Sequence, residues 1–220
     1  MPAPSLPDRV ATGRPLPPSP NIRAALGLPS HVTSRLLGAA GALTGAALCL
    51  CAAQGFVLGQ ARTQAQLARE QGQYEQATQR LQRALRFTPH AWEGWSDLAL
   101  TARSAWVFQQ RPEQLTLALT AYARAAALNP QSAAPHAERA RTFLVAGQPA
   151  NAVNEYQSAL TRDPNSPGLR VAFAQALEAG GQPAAALEQY RAAARIDANE
   201  YSQDAERRLG TPGPPAAGER

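Results

Sequence analysis

The chain has 220 residues, a formal charge of +5, and a hydrophobic share of 45% in which alanine is prominent and aromatics reach only 6%. All 21 basic residues are arginine, so any mechanism that needs a lysine (Schiff base, phosphate loop, kinase-type site) is excluded. Alanine favours helices over strands, and the arginine bias matches a GC-rich genome.

The charge is unevenly placed. Residues 1–35 hold Arg9, Arg14, Arg23 and Arg35 against Asp8, whereas 60–209 carry 16 arginines and 14 acids. The larger part is nearly neutral, so no nucleic-acid surface is expected.

Residues 1–35 read as a disordered proline-rich segment, with Pro15, Pro17, Pro18 and Pro20 fixing φ and removing donors while offering no core. Residues 36–59 follow without a charge. As a helix they span about 36 Å, enough for a hydrocarbon core of about 30 Å. This predicts a single transmembrane helix. The arginines before it place the N-terminus in the cytoplasm and the remainder outside. The apolar run starts too late for an ordinary cleaved signal, which favours an uncleaved anchor; the alternative is a secreted soluble protein cut near Ala53. Gly41 and Gly45 form a GxxxG pattern through which two anchors could dimerise. Cys49 and Cys51 point to different helix faces and cannot bridge within the helix.

Beyond the apolar run the sequence repeats itself. Helix-ending phrases recur at 86–91, 127–132, 161–166 and 195–200, marked by Pro89, Pro130, Pro164 and Ala198. The last two intervals are 34 residues and the first is seven longer. Alanines keep step at Ala77, Ala118, Ala152 and Ala186 and at Ala84, Ala125, Ala159 and Ala193. Larger residues recur as Leu81, Tyr122, Tyr156 and Tyr190, and turn glycines as Gly72, Gly147 and Gly181. Small residues allow helices to cross closely, and glycine supplies the left-handed conformation that ends a helix.

These registered positions resemble the tetratricopeptide repeat (TPR). The resemblance covers 58–200 in four units: 58–91, 92–132 with an insertion at 103–112, 133–166 and 167–200. It implies an all-α fold, a right-handed superhelix of antiparallel helix pairs behind the transmembrane helix. The segment 201–210 reads as a terminal capping helix with a wet face, and 211–220 as a disordered tail. Seven extra residues in the second unit are about two helical turns, so its first helix is extended or a loop protrudes.

The family resemblance also implies a concave groove lined by the first helix of each unit, where a protein or peptide partner binds. Carried over position by position, the groove holds Arg62, Gln66 and Arg69; Ser96, Leu100 and Arg103; Ala137, Arg141 and Leu144; and Val171, Gln175 and Glu178. Its arginines could pair with peptide carboxylates. The clamp that holds chaperone tails is not expected, because Asp97 and Glu138 would repel a carboxylate.

No catalytic pattern accompanies the repeats. His31 lies in the proline-rich segment, His90 in an inter-repeat turn and His136 in a helix of the linear stack, no phosphate loop follows a strand, and Trp95 reads as core packing. No catalytic residue, metal or cofactor is expected. The functional expectation is a non-enzymatic, membrane-anchored scaffold of a bacterial envelope.

Overall fold

The computed structural model describes residues 30–197 and 200–210; the tail expected at 211–220 and the fourth end marker, Ala198, lie outside them, as do residues 1–29 of the segment expected to be disordered over 1–35, whereas 30–35 are helical, as the first turns of the long helix that carries the apolar run. The described residues are all-helical, with no strand among them. In chain order the helices are α1 (Ser30–Glu70), α2 (Tyr74–Phe87), α3 (Trp92–Gln109), α4 (Pro112–Leu128) and α5 (Ala134–Val145). They continue as α6 (Pro149–Leu160), α7 (Pro167–Ala179), α8 (Pro183–Ile196) and α9 (Glu200–Leu209). The chain divides into two compact units between Cys51 and Ala52.

Within α1, Gly41–Glu70 is long and apolar enough to cross a membrane, with 6% of its most apolar window buried. Leu43, Leu48 and Leu50 all face outward, as do the free thiols of Cys49 and Cys51. Apolar side chains left exposed along a helix need a nonaqueous neighbour or a partner.

From Ala52 onward the helices build a linear array. α3 packs on α4, α5 on α6 and α7 on α8, while α4 meets α5, α6 meets α7 and α9 closes on α8. The alanine ladder sits where these helices cross: Ala77, Ala118, Ala152, Ala186, Ala125, Ala159 and Ala193 are fully buried and Ala84 nearly so. A methyl at each crossing lets the backbones approach; a larger side chain there would push the pair apart at about 1–3 kcal/mol. Leu81, Tyr122, Tyr156 and Tyr190 are buried one period apart and fill the space between neighbouring pairs.

Three helices end in the same way. Gly72, Gly147 and Gly181 adopt φ of 73°, 70° and 73°. Around each, the residue after the glycine donates its N–H back to the helix: Gln73 to Ala68, Gln148 to Phe143 and Gln182 to Leu177, at 2.7, 2.9 and 2.9 Å. These are Schellman closures, which satisfy carbonyls that the helix end leaves open. α3 has no glycine at its end, and Gln110 takes the left-handed conformation instead, with φ 54°.

The residues of 103–112 lengthen two helices rather than making a loop. α3 has 18 residues and α4 has 17, against 12 to 14 in α5 to α8. The extended tip folds back on the preceding turn, where Phe108 stacks on Tyr74 with ring centroids 6.1 Å apart. Gly94 marks a close approach: a Cβ there would come within 2.9 Å of Leu85 and 3.0 Å of Leu58.

Candidate functional site

The predicted groove residues fall into separate clusters. Arg62, Gln66 and Arg69 share one face of α1 and, with Asp97 of α3, line a cavity of about 310 Å³. Arg62 Nε donates to Asp97 Oδ2, and Gln66 donates to Glu70 at 3.0 Å. Asp97 is therefore paired rather than presenting a bare negative charge.

The second cluster lies between α3 and α5. Ser96, Leu100, Arg103 and Arg141 line a cavity of about 410 Å³ together with Trp92, Tyr122 and Glu138. Arg103 Nη1 donates to Glu138 Oε2 at 2.7 Å, and Arg141 Nη1 donates to Glu138 Oε1 at 3.2 Å. The Arg103 side chain is 15% exposed and that of Arg141 60%. Glu138 thus sits between two guanidinium groups, one enclosed and one facing solvent.

The two interhelical pairs have the same spacing. Arg62 reaches Asp97 and Arg103 reaches Glu138, each 35 residues ahead. Arg141, at a different register position of the next unit, turns back on its own helix instead. Pairs this close to solvent contribute about 0.2–1 kcal/mol each, so their main effect is to orient the arginines.

Two hydroxyls on the α3–α5 cavity have no hydrogen-bond partner. Tyr122 Oη and Ser96 Oγ are both buried and unpaired. Burial pushes the Tyr122 hydroxyl up to about 12, against the opposing pull of Arg103, so it is a proton donor at neutral pH. The two tyrosines one and two repeats later differ. Tyr156 and Tyr190 are both raised first by burial; Arg141 beside Tyr156 opposes that rise, and Glu178 beside Tyr190 adds to it. A buried unpaired hydroxyl costs about 1–3 kcal/mol, and such a cost persists where a ligand or ordered water completes the site.

The remaining predicted residues are placed differently. Ala137 and Leu144 pack against the core of Ala140, Phe143, Ala152, Tyr156 and Ala176, and Val171 packs against that of Ala174, Leu177 and Tyr190. Gln175 and Glu178 line a separate cavity of about 230 Å³ with Tyr201 and Arg208. Arg208 of α9 grips Glu178 with both terminal nitrogens, at 2.6 and 3.0 Å. That bond holds the Glu178 carboxyl below its ordinary value of 4.5, with Tyr190 adding to the effect. His136 is engaged by Glu155, which also accepts from Arg139, at 2.8 and 2.7 Å. Trp95 packs on the first core cluster and donates to the Pro89 carbonyl at 3.0 Å, the packing role its position suggested.

Two partners escaped the sequence reading. Tyr122 enters the sequence pattern only as one of the recurring larger residues, although a tyrosine where the first copy has Leu81 signals a hydroxyl to be placed. Arg208 carries no repeat signal, because it lies beyond the periodic segment.

Comparison with known proteins gives one consistent answer. Two tetratricopeptide repeat family models match the chain, one over residues 109–167 and the other over 143–209. No curated protein matches it. Among solved structures, a thermophilic TPR protein of Thermus thermophilus is similar at 21% identity with a TM-score of 0.54, covering 68% of this chain and 78% of that one. MamA of Desulfovibrio magneticus RS-1 is similar at 16% identity with a TM-score of 0.56, covering 70% and 82%. A Thermobaculum terrenum O-GlcNAc transferase is similar at 21% identity and 0.53, but the match takes in only 26% of that enzyme. At these identities the structural likenesses establish the fold alone. The registered alanines, the three glycine closures, the paired helices and the two family matches identify residues 109–209 as repeats of the tetratricopeptide repeat family.

Proposed function

We propose that the chain is a non-enzymatic, single-pass membrane-anchored scaffold of a bacterial envelope, with its N-terminus in the cytoplasm and its repeat array outside. In this reading the α3–α5 face takes an extended segment of a protein partner. One observation carries the binding site: the cavity between α3 and α5 presents the solvent-facing guanidinium of Arg141, with Tyr122 Oη and Ser96 Oγ buried and unpaired in its wall. Backbone carbonyls and carboxylates are the chemistry that such a set accepts. The anchor is supported by the exposed apolar face of α1 and by the arginines that precede it in sequence.

A photo-crosslinking amino acid at Leu100, inside the cavity, is compared with one at Gln82, exposed on α2. Discrete adducts formed at Leu100 in intact cells, and not at Gln82, support a partner on this face. Equal labelling at both positions, or none at either, overturns it.

The second reading is a soluble adaptor released by cleavage, for which the small residues Ala52 and Ala53 at the end of the apolar run give a cut site. Mass spectrometry of the native N-terminus separates the two: a start near Gln54 replaces the anchor by the secreted form. Gly41 and Gly45, with nothing against either, would be the close-approach face of an anchor dimer. Loss of dimer crosslinks in Gly41→Leu and Gly45→Leu tests that assembly.

A further inference from the structure

One groove in the array shares no residue with the α3–α5 cavity and has a different chemistry. It lies between α1 and α2, has a volume of about 430 Å³, and is bordered by Val57, Gln60, Ala61 and Gln64 on one side and by Arg80, Arg83, Ala84 and Phe87 on the other. Both sets follow the i, i+3, i+4, i+7 spacing of a single helix stripe. Arg80 donates to the Gln64 carbonyl at 3.3 Å, which puts the Arg80 end beside Gln64 and fixes the antiparallel register. The opposite end brings Phe87 alongside Phe56 and Val57.

The groove is therefore graded along its length. At one end Phe56 and Phe87 are 68% and 66% exposed, large aromatic surfaces that water does not favour. Along the helix axis from Phe87, Arg83 follows after about 6 Å and Arg80 after about 10 Å. Among the described residues no acid pairs with Arg80, Arg83 or Arg86, although the array pairs many of its other arginines. The apolar end coincides with the last turn of the predicted membrane span, which ends at Gly59. Leu58, in that same turn, lies within reach of Gly94 and so belongs to the packing of the array.

We propose that this groove holds an anionic phospholipid of the anchoring bilayer, with its acyl chains against Phe56, Val57 and Phe87 and its phosphate on Arg83 and Arg80. The order of the chemistry argues for a lipid over a free anion. An inorganic phosphate would use only the arginines, whereas the apolar end, at the depth of the acyl–headgroup boundary, matches a molecule that is oily first and charged second. The consequence is orientation: the first helix pair is tied to the membrane surface by α2 as well as by α1. The proposal rests on the anchored reading of the chain.

The test uses the full chain with Cys49→Ala and Cys51→Ala, reconstituted in vesicles of phosphatidylcholine with or without phosphatidylglycerol. A fluorescent label at Phe87→Cys, an exposed position, reports contact with spin-labelled acyl chains. The lipid retained on the protein after ejection from mixed-lipid nanodiscs, read by mass spectrometry, reports headgroup preference. We expect quenching at position 87 and enrichment of phosphatidylglycerol. Arg83→Gln and Arg80→Gln should each reduce that enrichment by about fivefold, the factor corresponding to one arginine near an anionic surface. A control label at Gln157, exposed on α6, should remain unquenched. A chain that fails to float with the vesicles after a high-salt wash defeats the anchored reading itself. A chain that floats but shows no quenching at position 87, or that retains the two lipids equally, leaves the anchor standing and overturns the groove. The substituted arginines are exposed, so circular dichroism is expected to stay unchanged; binding of inorganic phosphate with no lipid preference also counts against the proposal.

Discussion

Tyr122→Phe is the most informative single change, because the fold supplies its own controls. The substitution removes one oxygen from a fully buried ring and leaves the packing around it intact. Since Tyr122 Oη has no partner, the variant sheds a desolvation penalty of about 1–3 kcal/mol without losing a bond. A chain of this size shifts its melting midpoint by about 2–4 °C per kcal/mol, so the free protein should melt higher by about 2–12 °C. The same exchange at the later repeats should have the opposite sign: Tyr190→Phe loses its interaction with Glu178 and Tyr156→Phe its interaction with Arg141, each at a cost of about 0.5–1.5 kcal/mol. Thermal melts and urea unfolding of the three variants, each referred to the wild type, measure the difference in sign. If the Tyr122 hydroxyl also donates to a partner, the stabilised variant should bind that partner more weakly by about tenfold, the equivalent of one good hydrogen bond. A Tyr122→Phe protein destabilised as much as Tyr190→Phe would refute the reasoning, since the hydroxyl would then be bonded within the free chain.

Other expectations follow from the turns and the cap. Gly147→Ala meets no neighbour but must hold φ at 70°, so it should lose about 1–2 kcal/mol in denaturant unfolding from backbone strain alone. Gln110→Gly should go the other way, because it relieves a non-glycine residue at φ 54°, offset in part by the greater entropy of glycine in the unfolded chain. Ala152→Leu, at a fully buried crossing, should cost about 1–3 kcal/mol by overpacking and should do so without altering the turn after Gly147. The docking of α9 should depend on pH with a definite sign. Arg208 holds the Glu178 carboxyl below its ordinary 4.5, so its contribution is complete above that value and is lost as pH falls through the lowered one. The protection of α9 amides, taken relative to the intrinsic exchange rate at each pH, should therefore fall selectively in acid, and in Glu178→Gln it should already be low at neutral pH and change little on acidification.

The helical core could be read from the chain because each contact of an array is written several times. Ala77, Ala118, Ala152 and Ala186 occupy one structural place, as do Gly72, Gly147 and Gly181, and agreement among copies separates a packing requirement from chance. The apolar stretch of α1 was legible for another reason, since length and lack of charge alone qualify a helix to cross a membrane. The N-terminal and C-terminal tails and the marker Ala198 fall outside the described residues.

What the sequence determined by itself was the period, the helix pairs and the small residues that let them cross, all local patterns set by a fixed number of residues per turn. Only the tertiary structure decided who pairs with whom across that period. It matched Arg62 with Asp97 and Arg103 with Glu138, turned Arg141 back on its own helix, and closed Glu178 under Arg208. It placed Ala137, Leu144 and Val171 against the core, although their positions in the unit had suggested a groove lining. It drew the extra residues of 103–112 into two longer helices and gave Gln110 the turn that glycine makes elsewhere. The reason is physical: a side chain's partner in the next repeat depends on crossing angle and helix length, which the packing of many residues sets jointly. No local spacing records them, and Tyr122 stays unpaired while its two counterparts interact with Arg141 and Glu178 for that same reason.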